Sequence, residues 1–347
     1  MNRAAGALIG ATLFLAGCVA EPTRSDLMAG AGPLTAVPVT VVDGRARFRE
    51  IFCGVLADSG EAGAGAGDCA AFLWRLADEP DGTGRSLPTP DHAPQVYIVT
   101  GAFSECLGEE ARPFNGAAAR LRAAGYRLAT IVVSGRSGTE HNARQIADRL
   151  EAAPPGEAGP AVLIGYSKGA NDILEFLVRY PALAARVKAV VSVAGAIGGT
   201  PVTKDAAGIY DTLLRRIPSG RCAPGDGQVI NSLAVETRRE WLNRNPLPDH
   251  VRYYSVAAFA TREQMSAILV PVWRRLLRYD LHADGQLLAR DALIPGSTLL
   301  GYLNADHWSA AIDVETVHPL IGSRPDDTPF PRDVLLAAIL LRLAEWP

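Results

Sequence analysis

Gly165-Tyr166-Ser167-Lys168-Gly169 sets a serine between two glycines, after the apolar run Ala161-Val162-Leu163-Ile164 and before a helically periodic stretch that starts near Ala170. A strand–turn–helix of this kind lifts a hydroxyl clear of a sheet, and its glycines let neighbouring backbone pass without a Cβ clash. The hydroxyl would stand above a helix N-terminus, whose amides favour developing negative charge. The chemistry implied is attack of Ser167 on an acyl carbonyl. The plainer alternative is a tight turn whose serine merely caps the helix.

A serine at its ordinary pKa is a poor nucleophile, so it needs a base, and the base needs an orienting group. Four of the six histidines follow Ser167. His307, in Asn304-Ala-Asp-His-Trp308, comes just after the apolar run 298–303, at the carboxyl end of a strand, where open α/β sheets place their sites. His250 precedes a strand and is at the wrong end, and His318 is the fallback base. Asp284, in His282-Ala-Asp-Gly-Gln286, is the expected acid, because a turn-forming Asp-Gly can aim a carboxylate at the imidazole. Asp280, Asp291 and Asp205 are alternatives, and Asp306 is expected to cap the following helix.

The oxyanion of an acyl-transfer intermediate needs two amide donors. One is expected from Lys168, the residue after the nucleophile. The other is expected from Ala102 or Phe103, in the turn Thr100-Gly101-Ala102-Phe103 after the first buried strand. The Lys168 side chain reads as a surface charge paired with a nearby carboxylate, or as a lure for anionic substrates.

The surrounding pattern must hold these groups. Strands are expected at 95–100, 128–133, 161–164, 187–193, 252–259 and 298–303, and helices at 113–124, 140–152, 170–179 and 334–345. Short Val- and Ile-rich runs separated by amphipathic helices indicate an α/β fold with a mostly parallel sheet covered on both faces. Residues 200–248 break the alternation and read as an insertion or small cap lying over the sheet. Upstream, 37–42 and 46–48 read as a hairpin around Asp43-Gly44, and 68–78 as a short helix capped by Asp68. The organisation expected is a leader over 1–17, a tether over 18–36, an extension over 37–94 and the main domain over 95–347.

With these residues in place, 95–310 resemble an α/β-hydrolase of the lipase and esterase kind. The segment 191–202, with Ala194-Gly195-Ala-Ile-Gly-Gly-Thr-Pro201, is similar to the stretch after the nucleophile in PGAP1-like lipases. The resemblance implies the α/β-hydrolase fold and a carboxylic ester substrate cleaved through an acyl-enzyme on Ser167, His307 and Asp284. Thioester cleavage or acyl transfer by the same trio is the alternative, as is a non-catalytic binding protein on this fold. The oxyanion turn departs from the His-Gly of many lipases, and 37–94 match no known pattern.

The first residues address the compartment. Arg3, an apolar run over 4–16 and Leu15-Ala16-Gly17-Cys18 resemble the lipobox signal of bacterial lipoproteins, which implies cleavage before Cys18 and acylation of its thiol. An ordinary signal peptide is the alternative. Val19, where an Asp would favour the inner membrane, points to the outer membrane facing the periplasm. Four cysteines would remain, Cys53, Cys69, Cys106 and Cys222. In an oxidising compartment they suggest two disulfides, with the short Cys53–Cys69 loop favoured and Cys106–Cys222 left over; buried free thiols are the alternative.

A formal net charge of −3 argues against a nucleic-acid partner. No motif spacing calls for a metal or a cofactor. The expected partners are an ester substrate and, through Cys18, a membrane.

Overall fold

The computed structural model describes residues 20–29, 40–59, 69–86, 94–205, 223–314 and 319–345. Eight strands form one sheet: β1 (Val42–Asp43), β2 (Leu73–Trp74), β3 (Gln95–Val99), β4 (Leu128–Ile131), β5 (Ala161–Tyr166), β6 (Val187–Val193), β7 (Arg252–Phe259) and β8 (Thr298–Asn304). Their order is β1-β8-β7-β6-β5-β3-β4, every pair on that path is parallel, and β2 pairs antiparallel with β8. β3 and β5 are buried at every residue, as strands covered on both faces must be.

The helices are α1 (Arg24–Met28), α2 (Arg45–Asp58), α3 (Ser104–Leu107), α4 (Asn115–Ala123), α5 (Thr139–Glu151) and α6 (Lys168–Arg179). After them come α7 (Pro181–Ala184), α8 (Val229–Ser232), α9 (Val235–Arg244), α10 (Val270–Leu276), α11 (Pro319–Gly322) and α12 (Arg332–Ala344). On one face of the sheet Phe48, Phe52, Val96, Ile164, Leu300 and Leu336 share a core, and on the other Tyr97, Leu163, Ile146, Ile173 and Val190 share a second. The expected mostly parallel, helix-covered sheet is present.

Three upstream expectations are corrected. Residues 46–48 are not a hairpin arm but the start of α2, in which Phe48, Ile51, Phe52 and Leu56 form one buried stripe at helical spacing. Val42–Asp43 instead adds a parallel edge strand to β8. The helix expected over 68–78 is a 3₁₀ turn, Cys69–Ala71, followed by β2. Cys53 and Cys69 form a disulfide, with Cα atoms 5.4 Å apart, that ties α2 to this turn. The described part of the expected tether is also structured: Thr23 and Asp26 make a reciprocal capping box on α1, and Leu27 is fully buried.

The insertion over 200–248 contains the 3₁₀ turn Pro201–Asp205 and α8 and α9. A second excursion, between β7 and β8, carries α10. Among the described residues no helix is long and apolar enough to cross a membrane.

Candidate active site

The turn from β5 to α6 holds Ser167 at φ 54°, ψ −127°, a left-handed backbone that a residue with a Cβ rarely adopts. The flanking glycines make it possible. A Cβ on Gly165 would lie 2.6 Å from the Ala170 nitrogen, and one on Gly169 would lie 2.6 Å from the Val99 carbonyl oxygen. The strand before and the helix after are therefore pressed together, and the hydroxyl stands at the top of the sheet.

His307 follows the end of β8 and Asp284 lies in the β7–β8 excursion, both buried. The Ser167 hydroxyl donates to His307 Nε2 at 2.9 Å. On the far side of the ring, His307 Nδ1–H donates to Asp284 Oδ2 at 2.7 Å. The other oxygen, Asp284 Oδ1, accepts from the amides of Gln286 at 2.8 Å and Leu287 at 2.7 Å. Gly285 takes φ 96° so that the chain can fold around this carboxylate. The His307 amide also donates to the Asp284 carbonyl at 2.7 Å, so backbone and side chain fix the pair together. Three groups distant in sequence thus form one hydrogen-bonded line that can move a proton from a hydroxyl to a ring nitrogen.

The oxyanion turn is narrowed. The Phe103 amide donates to the Gly135 carbonyl at 3.1 Å, so Phe103 is not the second oxyanion donor. Among the described residues the Ala102 amide has no such backbone partner, which leaves it as the candidate for the role. Phe103 instead takes a left-handed φ of 61° and turns the chain into α3. A Cβ on Gly101 would sit 3.0 Å from the Ser167 Cβ, so the turn lies directly against the serine.

Lys168 is corrected more sharply. Its side chain is 0% exposed, and Nζ donates to Asp172 Oδ1 at 2.6 Å, with Asp172 also 0% exposed. The paired carboxylate is as expected, the surface location is not. Burial presses the Lys168 ammonium below its usual pKa and the Asp172 carboxyl above its own, each held back by the other's charge. Asn142 Nδ2 donates to Asp172 at 2.8 Å and to the Ser134 carbonyl at 3.0 Å, linking this pair to the loop after β4.

The other nominated residues go elsewhere. Asp280 pairs with His282 and Arg290. Asp291 is buried, and burial pushes its carboxyl up to about 6. Asp205 ends the 3₁₀ turn Pro201–Asp205. His250 Nε2 lies 3.1 Å from the Ala184 carbonyl, away from the serine. Asp306 acts as a cap, accepting from the Ser309 amide at 2.7 Å, but what it caps is a turn and not the expected helix. Its other oxygen accepts from the amide of Ser266 at 2.7 Å, clasping the β7–β8 excursion to the His307 loop. Cys106 is disulfide-bonded, and Cys18, Cys222 and His318 lie outside the described residues.

Tyr166 was not singled out from sequence. Its hydroxyl donates to the His307 carbonyl at 2.8 Å, and its ring lies 5.3 Å from the imidazole. Its position inside the pentapeptide was the available signal. Ala196, Val229, Leu233 and Leu287 form a small buried cluster, with Ala102, Phe103 and Ile230 packed on it. Among the described residues no cluster of His, Cys, Asp and Glu is placed to hold a metal ion.

No protein-family model matches this chain, and neither does any curated protein. Among solved structures, the metagenomic carboxyl esterase MGS0156 is 39% identical, over 92% of this chain and 98% of that one, with a TM-score of 0.81. The lipase BlEst2 of Bacillus licheniformis, in its mature form, is 17% identical over 65% of this chain and 89% of its own, with a TM-score of 0.51. At that identity the likeness is one of fold alone.

Proposed function

The chain belongs to the α/β-hydrolase family of esterases and lipases, as an ester-hydrolysing serine hydrolase, and we propose that it cleaves carboxylic esters through a covalent acyl-enzyme on Ser167. The observation that carries the reading is the unbroken line from the Ser167 hydroxyl through His307 to Asp284. In the first half-reaction Ser167 Oγ attacks the acyl carbonyl while His307 Nε2 takes its proton. Asp284 keeps the ring in the tautomer with its proton on Nδ1 and stabilises the imidazolium that forms. The negative oxygen is met by the amides of Lys168 and Ala102. His307 then returns its proton to the departing alcohol. In the second half, water gives a proton to His307 and its oxygen to the acyl carbon. The carboxylic acid leaves, and Ser167 regains its proton.

The test is covalent labelling with a fluorophosphonate probe, beside turnover of p-nitrophenyl esters. Wild type is expected to label and turn over, and Ser167→Ala to do neither. A well-folded wild type that takes up no probe would sink the reading.

The anchor belongs to the same proposal. Leu15-Ala16-Gly17-Cys18 supports lipidation of Cys18 and a periplasmic place at the outer membrane. Intact-mass measurement of the membrane-extracted protein is expected to find acyl chains on Cys18, and an unmodified thiol would overturn that part alone.

A further inference from the structure

The first described residues are docked on the body. Arg274 donates to Glu21 from Nε at 2.8 Å and from Nη2 at 2.6 Å. Leu27 is buried with Trp74 and Phe259, and its carbonyl accepts from His282 Nε2 at 2.9 Å. Only three residue steps separate Cys18 from Glu21, a reach of about 10 Å when fully extended. A lipid on Cys18 would therefore be held close to Arg274 rather than on a long leash.

The surface at that point has a particular composition. Helix α10 buries Val270, Val272, Trp273 and Leu276 towards the acid loop, where they pack with Met265, Leu269 and Ala283. Its other side turns Arg274, 59% exposed, to solvent, and Arg278 follows it as an exposed residue. Tyr279 at 52%, Leu281 at 38% and Met28 at 36% are exposed next to them, three of the six large hydrophobics that are exposed among the described residues. The acidic neighbours are largely answered: Glu21 by Arg274, Asp280 by Arg290 and His282. Asp26 spends its carboxylate on Thr23. Arginines beside an exposed tyrosine and aliphatic side chains suit the boundary between anionic headgroups and acyl chains.

We propose that the face formed by Arg274, Arg278, Tyr279, Leu281 and Met28 rests on the anionic phospholipid headgroups of the bilayer that holds the Cys18 lipid, so that the enzyme sits in one orientation. The proposal rests on the anchor reading for where the lipid lies, while the face itself acts without it.

The experiment uses the leaderless mature chain with Cys18→Ser, floated with vesicles of phosphatidylglycerol and phosphatidylcholine or of phosphatidylcholine alone. The parent is expected to float with the anionic vesicles, less so as salt rises, and hardly at all with the neutral ones. Arg278→Glu with Tyr279→Ser and Leu281→Ser is expected to weaken binding roughly tenfold or more. Lys188→Glu, at the opposite end of the sheet, is expected to leave it unchanged. Hydrolysis of a soluble short-chain ester reports that each variant is folded, since none of these positions belongs to the catalytic line. No flotation of the parent, or equal flotation of the triple variant, would overturn the face. An unmodified Cys18 in the native protein would overturn the anchor and not the face.

Discussion

Asp284 has its two oxygens committed to three donors, two amides and the imidazole. Asp284→Asn keeps the shape but replaces one acceptor with an NH₂ group, which favours the wrong histidine tautomer. We expect kcat to fall about 10⁴-fold with KM little changed, measured on a short-chain p-nitrophenyl ester; a loss under tenfold would mean that another group orients His307. Lys168 calls for a different experiment, because its amide and its side chain have separate jobs. Lys168→Met leaves Asp172 buried without its cation and is expected to cost about 3–5 kcal/mol in denaturant unfolding. Lys168→Met with Asp172→Leu should recover much of that loss, since an apolar pair of similar volume is tolerated where half an ion pair is not. If the double variant is no more stable than the single one, the pair does not act as a unit. The trio of Ser167, His307 and Asp284 was legible because each sits at a strand end or a turn in a definite chain order. The burial of Lys168 was not, since a charge within a turn reads as solvated until its partner one helical turn on is seen to be buried too. The choice between Ala102 and Phe103 needed the position of Gly135, 32 residues beyond Phe103, which no local pattern supplies.

At the scale of elements, the strands from β3 to β8 were legible because each is a short apolar run closed by a turn signal. The residues before them misled for a physical reason. Asp43-Gly44 between Val-rich and apolar stretches is a hairpin signal, yet Phe48, Ile51, Phe52 and Leu56 repeat at helical spacing, and burial against β8 and α12 decides in favour of that period. Helix α2 then depends on distant partners. Arg45, Arg47 and Arg49 pair with Asp43 and Asp78, with Glu50 and Glu345, and with Glu79. The Cys53–Cys69 bridge closes a segment with a sequence separation of 16. A loop of that size lowers the entropy of the unfolded chain by an amount worth about 3 kcal/mol. Replacing both cysteines with serine is expected to lower unfolding stability by roughly that amount, while the ester turnover of the folded fraction stays near that of the parent. A collapse of kcat at temperatures where the variant is still folded would show that α2 also shapes the site.

For the whole molecule, stability is expected to fall from mildly acidic to neutral pH, opposite to the usual effect of paired carboxylates, because burial raises Asp291 and His282 is raised by its partners. Asp43 and Asp280 are partly buried, which would raise them, but Arg45 in one case and His282 with Arg290 in the other hold both below the usual carboxylate range. Their contribution is present above the unfolded value of 3.8 and is lost only as pH falls through the folded one. Asp291 works the other way. Burial raises it from 3.8 to about 6, so between those values the unfolded chain gives up a proton that the folded chain keeps. Stability therefore drops as pH rises through this window and stays lowered above it, by an amount on the order of 3 kcal/mol at most. His282 continues the trend: burial opposes its charge, but Asp280 and the Leu27 carbonyl raise it above 6.5. Its contribution is full below 6.5 and fades as pH rises through the folded value. Unfolding by urea from pH 4.5 to 8 should thus give a maximum near the acid end. Asp291→Asn should flatten the limb below about pH 6 and raise stability at pH 7.5 far more than at pH 4.5. The limb above 6.5 should persist in that variant and disappear in His282→Gln. An Asp291→Asn curve parallel to that of the parent would show that this carboxylate finds a partner when ionised, and that the decline belongs to the other raised groups, Asp172 and His282.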